Sequence, residues 1–388
     1  MKDYKLSEKE FQKILEIKRD LHKHPEVAHH EFRTTEKIRE ALSEIPEIEI
    51  LETGFETGLV ARIPGEEGGA EIMLRADIDA ILQNEEYDSP WRSENEGIMH
   101  ACGHDLHTAS LIGAAGILGR LKREGELRNT VDFLFQPAEE GTTGARSLID
   151  GGLFGIISPD MCFGFHNWPS IRSGVIGCHK GNLMSGKRNF TMRIKGSGGH
   201  GSMPHLNVDP IVCAAAVIQS LQTVVSRNTD PADSLVLSIS MIEGGRPVNI
   251  VADDVKMVAT IRSLSDDALD RAIERVESIV KNTSQAYGCM GEINWAERIP
   301  ALRNTDEMYA IARKIAEDTG AEIIDPVPSL ASEDFALYRS FAPSFYYWIG
   351  STPEGESPED LHRPCYHADD RIMCLAAELF ARAASYEK

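Results

Sequence analysis

Between positions 99 and 107 the chain reads Met99-His100-Ala101-Cys102-Gly103-His104-Asp105-Leu106-His107. One thiol and three imidazoles so close together are a supply of metal ligands. Thiolate with imidazole suits zinc and its first-row neighbours, and Asp105 would complement the positive end of a helix dipole. An apolar run, Ala109 to Leu118, follows directly. That order predicts a loop delivering ligands at the mouth of a buried helix. A lone Cys-x-His has an ordinary alternative, a small buried hydrophobe beside a helix start. The partners further along weigh against it: Glu139-Glu140, His166 and His362 each end an apolar segment.

Those partners need elements to carry them. Short strand-like runs cover Gly58 to Ile63, Ile72 to Arg75, Thr130 to Phe135 and Met161 to Phe165, alternating with helical periodicity at Ser7 to Leu21, Ala109 to Leu121 and Gly144 to Leu148. Ser7 followed by Glu10 predicts a capping box. Alternating strands and helices predict an α/β fold with a mixed, mostly parallel sheet and helices on both faces, its ligands at the carboxyl ends of the strands. Asp77, Asp79, Glu139-Glu140 and His166 all fall at such ends. From about Ser185 the pattern changes to alternating strands and two helices, an α+β unit with an antiparallel sheet, and near 300 it changes back. The predicted organisation is one discontinuous domain, 1–184 and 300–388, with an inserted domain at 185–299. A strand from Ser344 to Gly350 and a helix from Arg371 to Tyr386 close the chain.

The 388 residues carry 61 acidic and 40 basic side chains, a formal charge of −21. With no basic stripe, nucleic acid and anionic membranes are not expected partners. The seven cysteines are scattered, odd in number and form no small-scaffold framework, and the charged N-terminus lacks a signal-type apolar core. Both point to the cytoplasm. No apolar stretch of about 18 residues is read from the sequence, so the chain is not expected to span a membrane.

Jointly, several segments resemble the M20 family of metallopeptidases and amidohydrolases, in particular its D subfamily of aminoacylases, hippurate hydrolases and auxin-conjugate hydrolases. They are Leu21-His22-Lys23-His24-Pro25-Glu26, Arg75-Ala76-Asp77-Ile78-Asp79-Ala80, Met99 to Asp105, Gln136-Pro137-Ala138-Glu139-Glu140, Gly164-Phe165-His166, Gly198-Gly199-His200-Gly201-Ser202, Ser332-Glu333-Asp334-Phe335 and Leu361-His362. The resemblance runs essentially end to end. It implies two divalent metal ions (Zn, Mn, Co or Ni), with Cys102 bridging, His104 and His166 on one ion, and Glu140 and His362 on the other. Glu139 would be general base and then acid, and His200 would donate to the developing oxyanion. Asn249, in Asn249-Ile250-Val251-Ala252 where many members read Asn-Val-Ile-Pro, and Arg262 would bind substrate. Asp79 and Glu333 would support the ligands, and Asp77 stays outside the ligand set. The inserted domain would act as lid and form a homodimer.

Amide hydrolysis needs a nucleophile, a stabilised oxyanion and a proton for the departing amine. A metal-bridging water can ionise near pH ~7, and adjacent Glu139 and Glu140 can divide the work between proton transfer and ligation. The expected activity is metal-dependent amide hydrolysis of an N-acyl amino acid, with a dipeptidase or carboxypeptidase on the same scaffold as the alternative. Two further readings are a thiol hydrolase with Cys102 as nucleophile and a non-catalytic dimer that binds small acids.

Overall fold

The computed structural model describes residues 2–387. The chain forms two compact units, one of Met1–Gly181, Arg303–Val327 and Asp334–Lys388, the other of Asn182–Leu302 and Pro328–Glu333.

The first unit is built on an eight-stranded sheet, in the order Glu49–Ile50, Leu59–Ile63, Thr130–Gln136, Glu71–Asp77, Met161–Arg172, Ser344–Thr352, Val175–Gly177, Glu322–Ile324. Its central pairs are parallel, and antiparallel pairs lie toward its sides. The sheet is thus mixed and mostly parallel, as the alternation of strands and helices predicts. Leu74, Phe133, Phe163 and Phe345 join one core with Leu111, Leu118 and Phe380 of the helices His104–Arg123 and Ile372–Ala384. Neighbouring positions on the strands point the other way: Arg75 and Tyr346 meet the short helix Asp334–Ser340. His104–Arg123 is buried over most of its circumference, which its continuous apolar run requires.

In the second unit the sheet order is Leu235–Gly244, Asp254–Ser263, Gly186–Lys195, Met290–Ile299, all antiparallel. Phe190, Met192, Ile194, Met257 and Ile261 share a core with the helices Pro210–Asn228 and Asp266–Ala286. Two features differ from the sequence reading. The unit runs from Asn182 to Leu302, a few residues beyond 185–299 at each end. Residues Pro328–Glu333 lie in this unit, tied by Ser329 N–H to the Leu183 carbonyl (3.0 Å) and Ser185 N–H to that of Ala331 (2.8 Å). Backbone bonds of this kind leave no side-chain pattern to read.

Pro210–Asn228 also corrects the reading of apolar stretches. With 19 residues and a mean hydropathy of 1.2 it is long and apolar enough to cross a bilayer by length and composition. Cys213, Ala214, Val217, Leu221 and Val224 form its buried stripe in the unit's core.

The first helix, Glu8–Lys23, starts as the sequence predicts. Ser7 Oγ accepts from Glu10 N–H (3.3 Å) and Glu10 Oε2 accepts from Ser7 N–H (2.7 Å). Replacing such a cap by alanine removes about 1 kcal/mol. Ser7→Ala is therefore expected to lower the unfolding free energy by that amount, seen as a lower urea midpoint at constant m-value, with unchanged turnover.

Candidate metal centre

Strand ends and one helix start supply the side chains. Glu71–Asp77 runs out into Asp77-Ile78-Asp79, and Thr130–Gln136 into Pro137-Ala138-Glu139-Glu140. Met161–Arg172 carries His166, opposite Trp348 in register. Gly103 starts the helix that bears His104, and it has to be glycine. Its φ is +83°, and an added Cβ would stand 2.3 Å from Asn167 Oδ1 and 2.8 Å from the Tyr366 hydroxyl.

Cys102, His104 and His166 form one set of ligand atoms within 4.8 Å of one another, and Cys102, Glu140 and His362 form another. Cys102 belongs to both. Its Sγ lies 3.4 Å from His166 Nε2, and Glu140 Oε1 lies 3.0 Å from His362 Nε2 without hydrogen-bond alignment.

The imidazole tautomers suit ligation. His166 Nδ1–H donates to the Asn167 carbonyl (2.6 Å), which leaves Nε2 as the lone pair facing Cys102. His104 Nδ1–H donates to the carbonyl (3.0 Å) and Oδ1 (3.1 Å) of Asp79, and its buried Nε2 has no hydrogen-bond partner. An orphaned ring nitrogen, an orphaned carboxylate oxygen and a thiol within one small volume fit divalent cations of the zinc type.

Electrostatics point the same way. Burial pushes His166 down to about 3 and so favours the neutral ring a cation requires. Burial opposes charge on His104, but the Asp77 carboxylate beside it outweighs burial and holds its pKa above the usual value. Burial, with Glu140 beside it, pushes the Cys102 thiol well above its usual value. Nucleophilic cysteines need the opposite, an electropositive and accessible setting, so the thiol-hydrolase reading loses its support. Burial raises Glu140 less than His362 and His104 lower it, and the carboxylate stays ionised.

Beneath these groups lies a network that the sequence reading missed in part. Arg75, fully buried, donates to Asp77 Oδ2 (2.7 Å), Asp334 Oδ1 (3.1 Å) and Gln136 Oε1 (2.9 Å). Asp77 Oδ1 accepts from His107 Nδ1 (2.6 Å), and His107 Nε2 accepts from Asn167 N–H (3.1 Å). Asp334 N–H donates to Glu139 Oε1 (3.4 Å). Arg75 had a visible signal: a charge inside the apolar run Ile72-Met73-Leu74 has to be buried and paired. Asp79 contacts two ligands, His104 through Oδ1 and the Glu140 N–H through Oδ2 (3.0 Å). His22 is buried between Asp105 (2.8 Å) and Glu85 (3.2 Å).

The remaining residues singled out in the sequence lie in the second unit. His200 sits on the exposed two-residue strand Gly199–His200, paired with Ile250, and Asn249 accepts from Gly201 N–H (2.8 Å). Ser202 N–H donates to His200 Nδ1 (3.2 Å), so the neutral ring carries its proton on Nε2. Arg262 is half-buried and donates to the Leu330 carbonyl (3.1 Å). Glu333 is buried at the end of Pro328–Glu333.

Comparison with known proteins places the whole chain among described relatives. The profile of Peptidase family M20/M25/M40 matches residues 73–386. An N-acetylcysteine deacetylase of Bacillus subtilis is 37% identical over 373 residues, 96% of each chain. An N-acetyldiaminopimelate deacetylase of the same organism is 32% identical over 369 residues, 95% of this chain and 96% of its own. The crystal structure of a Bacillus subtilis protein described as a dinuclear metal-binding peptidase from the M20 family superposes with a TM-score of 0.84 at 34% identity, covering 98% of each chain.

Two outcomes test the centre. Gly103→Ala, forced into a left-handed conformation costing roughly 1–2 kcal/mol and into Asn167, is expected to lower bound metal per chain, measured by plasma mass spectrometry. Arg75→Met leaves two buried carboxylates without their cation and is expected to cost about 3–5 kcal/mol in urea unfolding.

Proposed function

The chain belongs to peptidase family M20/M25/M40 and is a hydrolase of amide bonds, and we propose that its reaction is the metal-dependent release of an amino acid from an N-acyl amino acid. The observation that carries this reading is the shared position of Cys102 in two ligand sets, with Glu139 next to the ligand Glu140. Acetylated amino acids are the first class to try, given the deacetylases to which the chain is similar.

In this reading Cys102, His104 and His166 hold one cation, and Cys102, Glu140 and His362 the second. The bound pair would polarise the scissile carbonyl and lower the pKa of water toward ~7. Glu139, mostly buried and held by the Asp334 N–H, takes the proton of the attacking water and returns it to the departing nitrogen. His200 donates Nε2–H to the carbonyl oxygen as negative charge develops there. Arg262, a half-buried guanidinium whose pKa burial lowers from its ordinary value, pairs with the substrate carboxylate, and Asn249 orients the acyl amide. The reading includes a homodimer through the second unit, supported by its exposed Ile211, Val212, Met241 and Ile242.

Chelation is expected to abolish hydrolysis of N-acetyl amino acids, and added Zn²⁺, Mn²⁺, Co²⁺ or Ni²⁺ to restore it; turnover indifferent to metal would sink the reading. Glu139→Gln is expected to keep both cations while kcat falls by about 10²–10⁴. His200→Ala is expected to lower kcat by about 10²–10³ at unchanged metal content. Steady-state kinetics beside metal analysis checks both.

A further inference from the structure

Glu31 is a carboxylate with no solvent exposure, at the residue before the helix Phe32–Ser43. Such a position commonly caps its own helix, but Glu31 makes no cap bond. Glu26 does that work, its carboxylate accepting from the N–H groups of Arg33 (3.1 Å) and Thr34 (2.7 Å). Glu31 reaches across to another segment. Its Oε1 accepts from Ala138 N–H (2.8 Å) and from His29 N–H (3.0 Å).

Both donors belong to strained residues. Ala138 has φ +56° and His29 φ +62°, two of the four left-handed non-glycine residues among those described. For an alanine that conformation costs roughly 1–2 kcal/mol and persists only where surroundings over-determine it. Here one buried oxygen fixes both. A second tie joins the same segments, His29 Nε2 to Thr143 Oγ1 (2.8 Å). The turn then closes on itself through Thr142 N–H to the Glu139 carbonyl (2.7 Å) and Gly144 N–H to that of Ala138 (3.0 Å).

Ala138 immediately precedes Glu139 and Glu140. Its backbone angle therefore sets where the next two side chains leave the chain. Asp79 Oδ2 accepts from the Glu140 N–H (3.0 Å), so buried carboxylates hold the backbone N–H groups before and after Glu139. We propose that Glu31 is a positioning residue for the reaction, holding Ala138 left-handed so that Glu139 and Glu140 present one oxygen to the substrate's water and one to the cations. This rests on the assignment of Glu139 as the proton carrier. The role is geometric: the acceptor must stand at that length, and its charge is secondary.

Two variants separate length from charge. Glu31→Gln keeps the acceptor at the same reach without the charge, whereas Glu31→Asp keeps the charge and withdraws the oxygen by one methylene. Misplacing a reacting group by about 1 Å costs on the order of 10² in rate. With metal-loaded protein and an N-acetyl amino acid, Glu31→Asp is expected to lose at least about tenfold in kcat with KM within about threefold, and Glu31→Gln to stay within about threefold of the wild type. Calorimetric titration of Zn²⁺ into the stripped proteins gives the second readout: Glu31→Asp is expected to weaken binding about tenfold and Glu31→Gln to leave it unchanged. The reverse order, or two variants indistinguishable from the wild type in both readouts, overturns the proposal. A wild type that hydrolyses no acyl amino acid defeats the functional reading alone, and the Zn²⁺ titration then decides the case of Glu31.

Discussion

A guanidinium sealed from water governs the carboxyl edge of the large sheet. Arg75 stands inside a strand, and its charge is tolerable there only if every donor finds an oxygen. Asp77, Asp334 and Gln136 supply them. Each acceptor sits on a different segment, so satisfying one side chain fixes where the strand Glu71–Asp77, the strand Thr130–Gln136 and the short helix Asp334–Ser340 stop relative to each other. Asp77 passes that constraint to His107 and through it to the backbone beside His166. Asp334 passes it to Glu139 and, through Oδ2, to the Ala145 N–H (2.8 Å). The side chains proposed to face a cation are thus held by a network that starts from Arg75.

The second constraint is strain. Ala138 and His362, neither of them glycine, hold φ of +56° and +64°, and both adjoin or belong to the proposed ligand set. Left-handed backbone at such positions is maintained by hydrogen bonds from outside the turn: Glu31 for Ala138, and for His362 its own N–H to the Ala101 carbonyl (2.8 Å). That last bond joins the loop of His362 to the residue next to Cys102. Two ligands distant in sequence are therefore neighbours through the backbone before any ion is considered.

Much of this was legible in the sequence because the ligands are chemically distinctive and sit where parallel strands end. Cys102, His104, Glu140, His166 and His362 converge in the structure, and the mostly parallel sheet follows from apolar runs alternating with helical periodicity. Supporting groups were harder to see. Glu31 looks like an ordinary helix start, and only the fold brings it beside Ala138. His107 looks like one more histidine of a ligand-rich loop, although Asp77 and Asn167 occupy both of its nitrogens. A pattern of residue types reports which face a side chain prefers; it says little about which distant backbone group that side chain will meet.

The thiol at the centre shows why so much scaffolding is needed. Burial and nearby carboxylates push Cys102 up and hold it neutral, while burial keeps His166 neutral as well. A pocket of bare thiolate and crowded carboxylates would be costly to bury, and protonated groups avoid that cost. Ligation by Cys102, as proposed, must therefore displace a proton, so the cation and the proton compete for one sulfur. A cation of the zinc type wins that competition only if its remaining ligands are already in place. The Nδ1 bonds of His104 and His166, the Asp79 clamp on Glu140, the buried guanidinium of Arg75 and the acceptor oxygen of Glu31 all serve that end, because a ligand set that had to be ordered at the moment of binding would spend on ordering the free energy needed to remove the proton.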